Sequence, residues 1–388
     1  MKEGWIYKKL GSVTKVVSGS TPKTNIKEYW GGSNKWVTPA ELNDRMFILD
    51  TKRTITDKAV LHTNLNLLPV GTVLLSSRAP IGKVAIVGAP MYCNQGFKNL
   101  ICSDLLYNLF LYWFLKGKKN YLNSLGRGAT FKEISKNIVE SILIPLPELS
   151  EQKKIVAELE KLNEILTKKH EQLKELDRLG QAIFYDMFGD LQSNIYNYNI
   201  ESLNDIFEVI TDGTHQTPTY TIDKDNGYKF LSAKDVVSGS IDWTNVKYIP
   251  HELHEVLYKR LAPRRNDILL CKNGTTGTCA LVDTDEVFDI YVSLALLRPY
   301  AKYNPIYLVH AINSPCTKMQ FNDALKGVGV PNLHLGEIRR VKIIVPPIDF
   351  QNHFERKVIG IESQKQKIKQ SIVEVQQLLD YTMNKYFG

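Results

Sequence analysis

The chain has 388 residues, 43% of them hydrophobic and 23% charged, which is ample apolar material for folding and more length than one core usually organises. Lys and Arg number 49 against 41 Asp and Glu, and the net of +8 favours an anionic partner without selecting among nucleic acid, membrane surface and acidic protein. No apolar run approaches the ~20 residues of a membrane span, and the opening MKEGWIYKKLGS lacks a secretory apolar core, so a cytoplasmic location is expected.

In chain order, residues 1–150 read as short β-branched, alternating segments broken by Gly, Pro, Asn and Ser. These are strands joined by tight loops, with a helix near residues 104–116. The strand-like run Ile142-Leu143-Ile144 then meets Pro145-Leu146-Pro147. Beyond it, Ile155, Leu159, Leu162, Leu166, Leu173 and Leu176 follow the spacing of a coiled-coil seam. Proline is tolerated before a helix but not inside it, and Ser150 offers an N-cap oxygen. A helix over residues 151–179 is therefore expected, roughly 44 Å long at ~1.5 Å per residue.

The second half repeats the first. Sliding the sequence by 199 residues places Met187-Phe188-Gly189 over Tyr386-Phe387-Gly388, and Gln152 over Gln351. With small gaps, residues 10–21 align with 203–214, 36–42 with 230–236, and 71–87 with 266–282. A helix is expected again near residues 305–313, then the run Ile343-Ile344-Val345, the pair Pro346-Pro347, and Asp349 as a cap. The second seam is Phe354, Val358, Ile361, Ile368, Ile372, Val375 and Leu379. The organisation is mixed α/β: globular domains at 1–150 and 191–350 alternate with long helices at 151–190 and 351–388. Residues 151–189 carry a net charge of −1 and residues 351–388 one of +2, so +7 of the +8 lies outside these two stretches. Lys169 and Lys365 each interrupt an apolar seam, and snorkelling explains them more simply than a register device.

This arrangement resembles the specificity subunit of Type I restriction-modification systems. The resemblance covers nearly the whole chain and rests on the junctions at residues 145–152 and 346–351, the helix endings Met-Phe-Gly and Tyr-Phe-Gly, and the domain openings at residues 18–22 and 212–214. Phe350 departs from the pattern, standing where the first junction has Glu151. The resemblance implies two target-recognition domains reading the halves of a bipartite, asymmetric DNA site, and two helices pairing as an antiparallel coiled coil with pseudo-two-fold symmetry. It also implies docking of two modification subunits that methylate adenine, with restriction subunits joining them. No cofactor is then expected on this chain itself, S-adenosylmethionine, ATP and Mg belonging to partner subunits. The rival reading is a duplicated coiled-coil scaffold binding protein or glycan partners.

No catalytic or metal site is expected. Residues 77–84 only approach a P-loop, lacking its first glycine and its hydroxyl, and read as a turn between strands. Asp349 with Glu355 and Lys357 mimics a nuclease constellation, but the first copy has Ser150, Val156 and Glu158 there. His251 and His254 read as exposed loop histidines without a third ligand. Cys93, Cys102, Cys271, Cys279 and Cys316 contain no C-x-x-C pair and read as reduced, mostly buried thiols.

Base edges are read by Arg, Lys, Asn, Gln and hydroxyls presented on loops, with phosphate contacts fixing the register. The candidates in the first domain are Ser20, Thr21 and Lys23 in the opening loop, Arg78, then Asn94, Gln95 and Lys98, then Arg127, Thr130 and Lys132. In the second domain they are Thr214, His215 and Gln216, Lys234, then Lys272, Asn273, Thr275 and Thr276, then Asn332 and His334. Asn, Thr and Gly are also ordinary turn residues, so each position has a competing structural role.

Overall fold

The structure is a computed structural model that describes residues 5–43, 45–128, 132–237, 239–325 and 332–388. It divides into two compact units. The first comprises the chain up to Glu171 together with Lys369–Gly388, and the second comprises Gln172–Ile368. Each unit therefore takes one globular domain and a part of both long helices.

In the first unit a five-stranded sheet runs in the order Thr14–Ser18, Lys98–Cys102, Val73–Leu75, Val84–Val87, Phe47–Ile48. Its strands alternate cleanly, because successive side chains of a strand point to opposite faces. Val73, Leu75, Ile86 and Val16 pack on one face against the helix Asn108–Gly117, whose residues 110–115 are all buried. Leu74, Ala85, Val87 and Val17 pack on the other face, with Val37, Cys93 and Phe97. A smaller sheet adds Thr54–Ile55, Trp30–Val37 and Tyr92–Cys93, the last two pairing in parallel. A two-stranded ribbon, Ile6–Lys9 with Leu143–Leu146, leads into the first long helix.

The second unit repeats this plan. Its four-stranded sheet runs Phe207–Asp212, Leu294–Pro299, Ile268–Cys271, Cys279–Leu281. Ile268 and Leu270 face the helix Pro305–Asn313 while Leu269 and Cys271 face the opposite core. The small sheet is Lys247–Ile249, Tyr228–Leu231, Phe288–Ile290, and the ribbon is Asn199–Ser202 with Lys342–Val345. Cys93, Cys271 and Cys279 are buried, Cys102 and Cys316 half-buried, and all five are free.

The long helices span Leu149–Phe188 and Ile348–Phe387, 40 residues each. The first exceeds the expected 151–179 at both ends. Gly180 is a weak breaker costing about 1 kcal/mol against Ala, and the burial of Phe184 and Phe188 beyond it carries the helix through. Ser150 and Asp349 are not caps but lie within the first turns. The Glu148 carbonyl already accepts from the amides of Glu151 and Gln152, and the Pro347 carbonyl from those of Phe350 and Gln351. Asp349 there complements the positive helix end.

Within the first unit Ile155, Leu159 and Leu166 pack with Leu379 and Phe387, and Leu162, Ile372 and Val375 lie half-buried against them. Within the second, Phe184 and Phe188 pack with Phe354 and Val358. The start of one helix meets the end of the other in each unit, so the helices run antiparallel. The expected seam is not uniformly apolar, however. Leu173, Leu176 and Ile368 are only half-buried and stand outside these clusters, while the buried Ile361 and Leu176 line a cavity of about 550 Å³. Lys365 does not snorkel. It crosses to Asp177 on the other helix at 2.7 Å and also meets Glu362 at 2.7 Å. Burial works to lower the Lys365 pKa, but these two carboxylates outweigh it and hold the ammonium above its ordinary range.

One buried glutamine in each copy joins domain to helix. The Gln152 side chain accepts from the Tyr107 amide at 2.8 Å and donates to the Leu105 and Pro147 carbonyls at 3.0 and 2.9 Å. Gln351 accepts from the Asn304 amide at 2.9 Å and donates to the Pro346 carbonyl at 2.7 Å. Tyr107 and Asn304 are the N-cap residues of the domain helices. Replacing either glutamine by Ala orphans buried backbone groups at about 1–3 kcal/mol each. The expected result for Gln152→Ala is a loss of about 3 kcal/mol or more in denaturant unfolding, with amide-exchange protection falling around residues 105–109 while the Asn304 amide is unaffected.

Candidate nucleic-acid interface

At one end of each main sheet three loops converge, and their backbones hold them together. In the first domain the loop after Val73–Leu75 is met by Arg127, Glu133 and Ile134. Arg127 and Glu133 exchange backbone hydrogen bonds at 3.0 and 2.9 Å, and the Ile134 amide donates to the Ser77 carbonyl at 2.9 Å. In the second domain the Leu333 amide donates to the Lys272 carbonyl at 3.0 Å, the equivalent contact. The opening loops pass so close to a neighbouring turn that glycine is required. A Cβ on Gly19 would lie 1.9 Å from the Asn94 oxygen, and one on Gly213 would lie 2.1 Å from the Ile290 oxygen. The next residues then anchor the loops, the Ser20 amide donating to Cys93 O at 2.9 Å and that of Thr214 to Ile290 O at 3.1 Å.

Under these loops sits a buried lysine paired with a carboxylate. In the first domain Lys98 Nζ lies 3.0 Å from Glu133 Oε1, and Arg78 Nε donates to Glu133 Oε2 at 2.8 Å. In the second domain Lys272 Nζ meets Asp212, whose other oxygen lies 3.2 Å from His215 Nε2. Burial raises both carboxyl pKa values, but the lysines outweigh it, with Arg78 and His215 in support, and hold both acids below their ordinary range. The pairs occupy one spot from different strands. Lys98 is opposite Ser18 and Asp212 is opposite Ala295 in the corresponding ladders, while Lys272 occupies the position of Ser77.

The structure thereby sorts the sequence candidates. Lys23, Arg78, Gln95, Arg127, Lys132, His215, Gln216, Lys234, Thr275 and His334 are exposed, and Ser20, Thr21, Thr214, Asn273, Thr276 and Asn332 are half-buried at the same loops. Thr130 lies outside the described residues. Thr21 is hydrogen-bonded to Gln95, tying the opening loop to the turn. Asn94 serves its turn, accepting the Gly96 amide at 2.9 Å. Lys98 and Lys272, proposed as contacts from sequence, are 7% and 5% exposed and committed to ion pairs, so they brace loops from beneath. Neither Glu133 nor Asp212 is among the sequence candidates for DNA contact, although Asp212 stands in the opening at residues 212–214, because an acidic side chain by itself repels a polyanion.

Among the described residues no three His, Cys, Asp or Glu groups gather to hold a metal. His254 is not an exposed loop residue. It is buried on the helix His251–Arg260, bound to Asp289 at 2.7 Å and stacked on Tyr228 at 3.6 Å. Glu355 accepts from the Asn304 side chain at 2.8 Å, a structural bond. Burial pushes the Cys93 and Cys102 thiols up to about 12, far from nucleophilic at neutral pH.

Removing one partner of a buried ion pair leaves the other uncompensated, at about 3–5 kcal/mol. Lys272→Ala is therefore expected to lower unfolding stability by about 3 kcal/mol or more in urea denaturation. Lys23→Ala, at an exposed position, is expected to stay within ~0.5 kcal/mol of the parent.

Comparison with known proteins agrees with this geometry. A family described as the Type I restriction modification DNA specificity domain matches residues 2–177 and again 197–371. The Type I restriction enzyme MjaIX specificity subunit of Methanocaldococcus jannaschii is 31% identical over 88% of this chain and 83% of its own length. The EcoKI specificity subunit of Escherichia coli K12 is 23% identical over 92% of this chain and 82% of its own length. Among solved structures, a chain from a study of complex assembly in the type I R-M system superposes with a TM-score of 0.64 at 19% identity, covering 100% of this chain and 98% of that one. The Type I S subunit from M. genitalium superposes with a TM-score of 0.55 at 15% identity, with the same coverage. Two family domains, each bearing a braced loop cluster and each sharing in an antiparallel helix pair, place this chain in the family of Type I restriction-modification DNA specificity subunits.

Proposed function

We propose that each globular domain reads one half of a bipartite, asymmetric DNA site. The observation that carries this reading is a loop scaffold repeated with different side chains. Gly19 and Gly213, brought into correspondence by a one-residue shift from the sequence alignment, make comparable close approaches, yet Ser20, Thr21 and Lys23 stand in one opening loop where Thr214, His215 and Gln216 stand in the other. Arg78 is likewise matched by Asn273, a guanine-type donor against an adenine-type amide. A common frame with divergent exposed groups suits two half-sites of different sequence.

The long helices are the docking elements for two modification subunits, with restriction subunits joining that assembly. Their exposed apolar residues support this: Leu179 and Ile359 in the second unit, Val373, Leu378 and Tyr381 in the first. S-adenosylmethionine, ATP and Mg belong to those partners, and this chain supplies DNA recognition alone. Among the described residues no helix is long and apolar enough to cross a membrane.

Replacing residues 1–150 with another recognition domain of the family is expected to change one half of the methylated motif and preserve the other. Methylome sequencing of the altered strain reads this directly, and a change in both halves contradicts the modular reading. The purified chain alone is expected to show no methyl transfer, DNA cleavage or ATP hydrolysis, and robust turnover by a clean preparation contradicts the assignment of chemistry to partners.

A further inference from the structure

Both domains carry a cation resting on an aromatic ring beside the opening loop, at positions that correspond through the repeat. In the first domain the Arg53 guanidinium lies 3.8 Å from the centre of the Trp30 ring and 5.1 Å from that of Trp36. In the second the Lys247 ammonium lies 3.8 Å from the centre of the Tyr220 ring. The correspondence follows from the ladders. The Trp36 amide donates to the Arg53 carbonyl, Phe230 is the strand partner of Lys247, and Trp36 aligns with Phe230. Each platform ring also meets that inner aromatic edge to face, Trp30 on Trp36 at 5.0 Å and Tyr220 on Phe230 at 6.1 Å.

The platforms belong to the loop clusters already described. Trp36 Nε1 donates to the Ser20 carbonyl at 3.1 Å and Trp30 Nε1 to that of Lys23 at 3.3 Å, so the opening loop hangs from the two indoles. In the second domain Tyr220 follows the opening loop directly, and the next amide, of Thr221, donates to Tyr248 O at 2.9 Å beside Lys247. Arg53 and Lys247 are both exposed. Among the described residues neither forms an ion pair, whereas Arg78, Lys98 and Lys272 are all neutralised by carboxylates.

We propose that Arg53 and Lys247 are the phosphate anchors of the two recognition domains, one per half-site, each held in place by its aromatic platform before DNA arrives. This rests on the DNA-reading function proposed above and adds residues that the sequence did not single out. A ring beneath the cation restrains a long side chain that is otherwise free, so less conformational entropy is lost on contact, and the outward face keeps its charge and donors. Phosphate rather than a base follows from the repeat. A base reader diverges between half-sites of different sequence, whereas a backbone contact is indifferent to sequence and persists. The two domains keep the charge and change the group. An Arg fork suits bidentate pairing to guanine and a Lys does not reproduce it, but either neutralises a phosphate.

The test uses the full-length chain with Arg53→Met and Lys247→Met, which keep an aliphatic stem on the ring and remove the charge, and with Arg53→Lys and Lys247→Arg, which keep the charge. Two duplexes of equal length serve as probes, one bearing the methylated motif and one with both half-sites scrambled, and affinity is measured across a salt series. Each phosphate contact contributes ~0.9 to the slope of log affinity against log salt. Each Met variant is expected to lose about that much slope on both duplexes alike, while the charge-preserving pair keeps the parental slope. A Met variant that melts like the parent and keeps its full slope overturns the proposal, as does a loss confined to the motif-bearing duplex, which marks a base contact instead. Should the Met variants misfold, loss of slope in the charge-preserving pair overturns it too. If the unaltered chain shows no salt-dependent binding to either duplex, the DNA-reading function itself fails, and the anchors with it.

Discussion

The side chains of Gln152 and Gln351 are the joints on which the rest of the molecule depends. Each is essentially unexposed, each satisfies the amide of the N-cap residue of a domain helix, and each also binds the carbonyl of a proline that precedes its own long helix. A buried amide in that position has little tolerance for rearrangement, because any rotation of the domain against the helix strands polar groups without water to replace them. The domain helices Asn108–Gly117 and Pro305–Asn313 in turn cover one face of the main sheets. The loops at the sheet ends thus inherit their placement from two hydrogen-bonded glutamines. That the same residue recurs 199 positions later is the shortest expression of the duplication.

On this fixed frame the recognition loops are free to differ. Steric necessity holds Gly19 and Gly213 constant, since any side chain there would overlap a neighbouring carbonyl. The ion pair beneath the loops is kept as a pair while its members move: Lys98 with Glu133 in one domain, Lys272 with Asp212 in the other. Such relocation is what a buried charge demands, because a lone lysine or carboxylate in that spot carries a large desolvation cost that a partner from any adjacent strand can offset. Exposed positions around the pair face no such demand, and there the two domains share little.

The two units also differ in their polar interiors. The small sheet of the first domain packs Trp36, Ile55, Ala59 and Tyr92 into an apolar cluster. At the corresponding place the second domain buries His254 against Asp289 with Tyr228 stacked on the ring. Burial raises the Asp289 carboxyl pKa, and the His254 hydrogen bond works against that rise. Lys365 with Asp177 and Glu362 is another polar insertion, again in the second unit, where the apolar seam thins beside a cavity.

Much of the architecture was legible in the sequence because it rests on periodicity and repetition, which are properties of the chain taken one residue at a time. The strand-like apolar character of residues 71–87, the four-and-three spacing from Ile155 to Leu166, the proline pairs before the long helices and the 199-residue offset all survive without coordinates. So did the opening loops, since Gly19 and Gly213 mark them. Tertiary structure alone decided which basic residues face outward. Lys98 and Lys272 looked like DNA contacts but are sealed by carboxylates distant in sequence. Arg53 and Lys247 are not singled out by the sequence, yet they stand on aromatic rings and, among the described residues, form no ion pair. It also carried the first long helix past Gly180 and moved the caps from Ser150 and Asp349 to the preceding carbonyls. The reason is common to all of these. Local pattern reports which face of an element is apolar, whereas the fate of a charge or of a helix end depends on which distant groups fold against it, and no short window of sequence contains them.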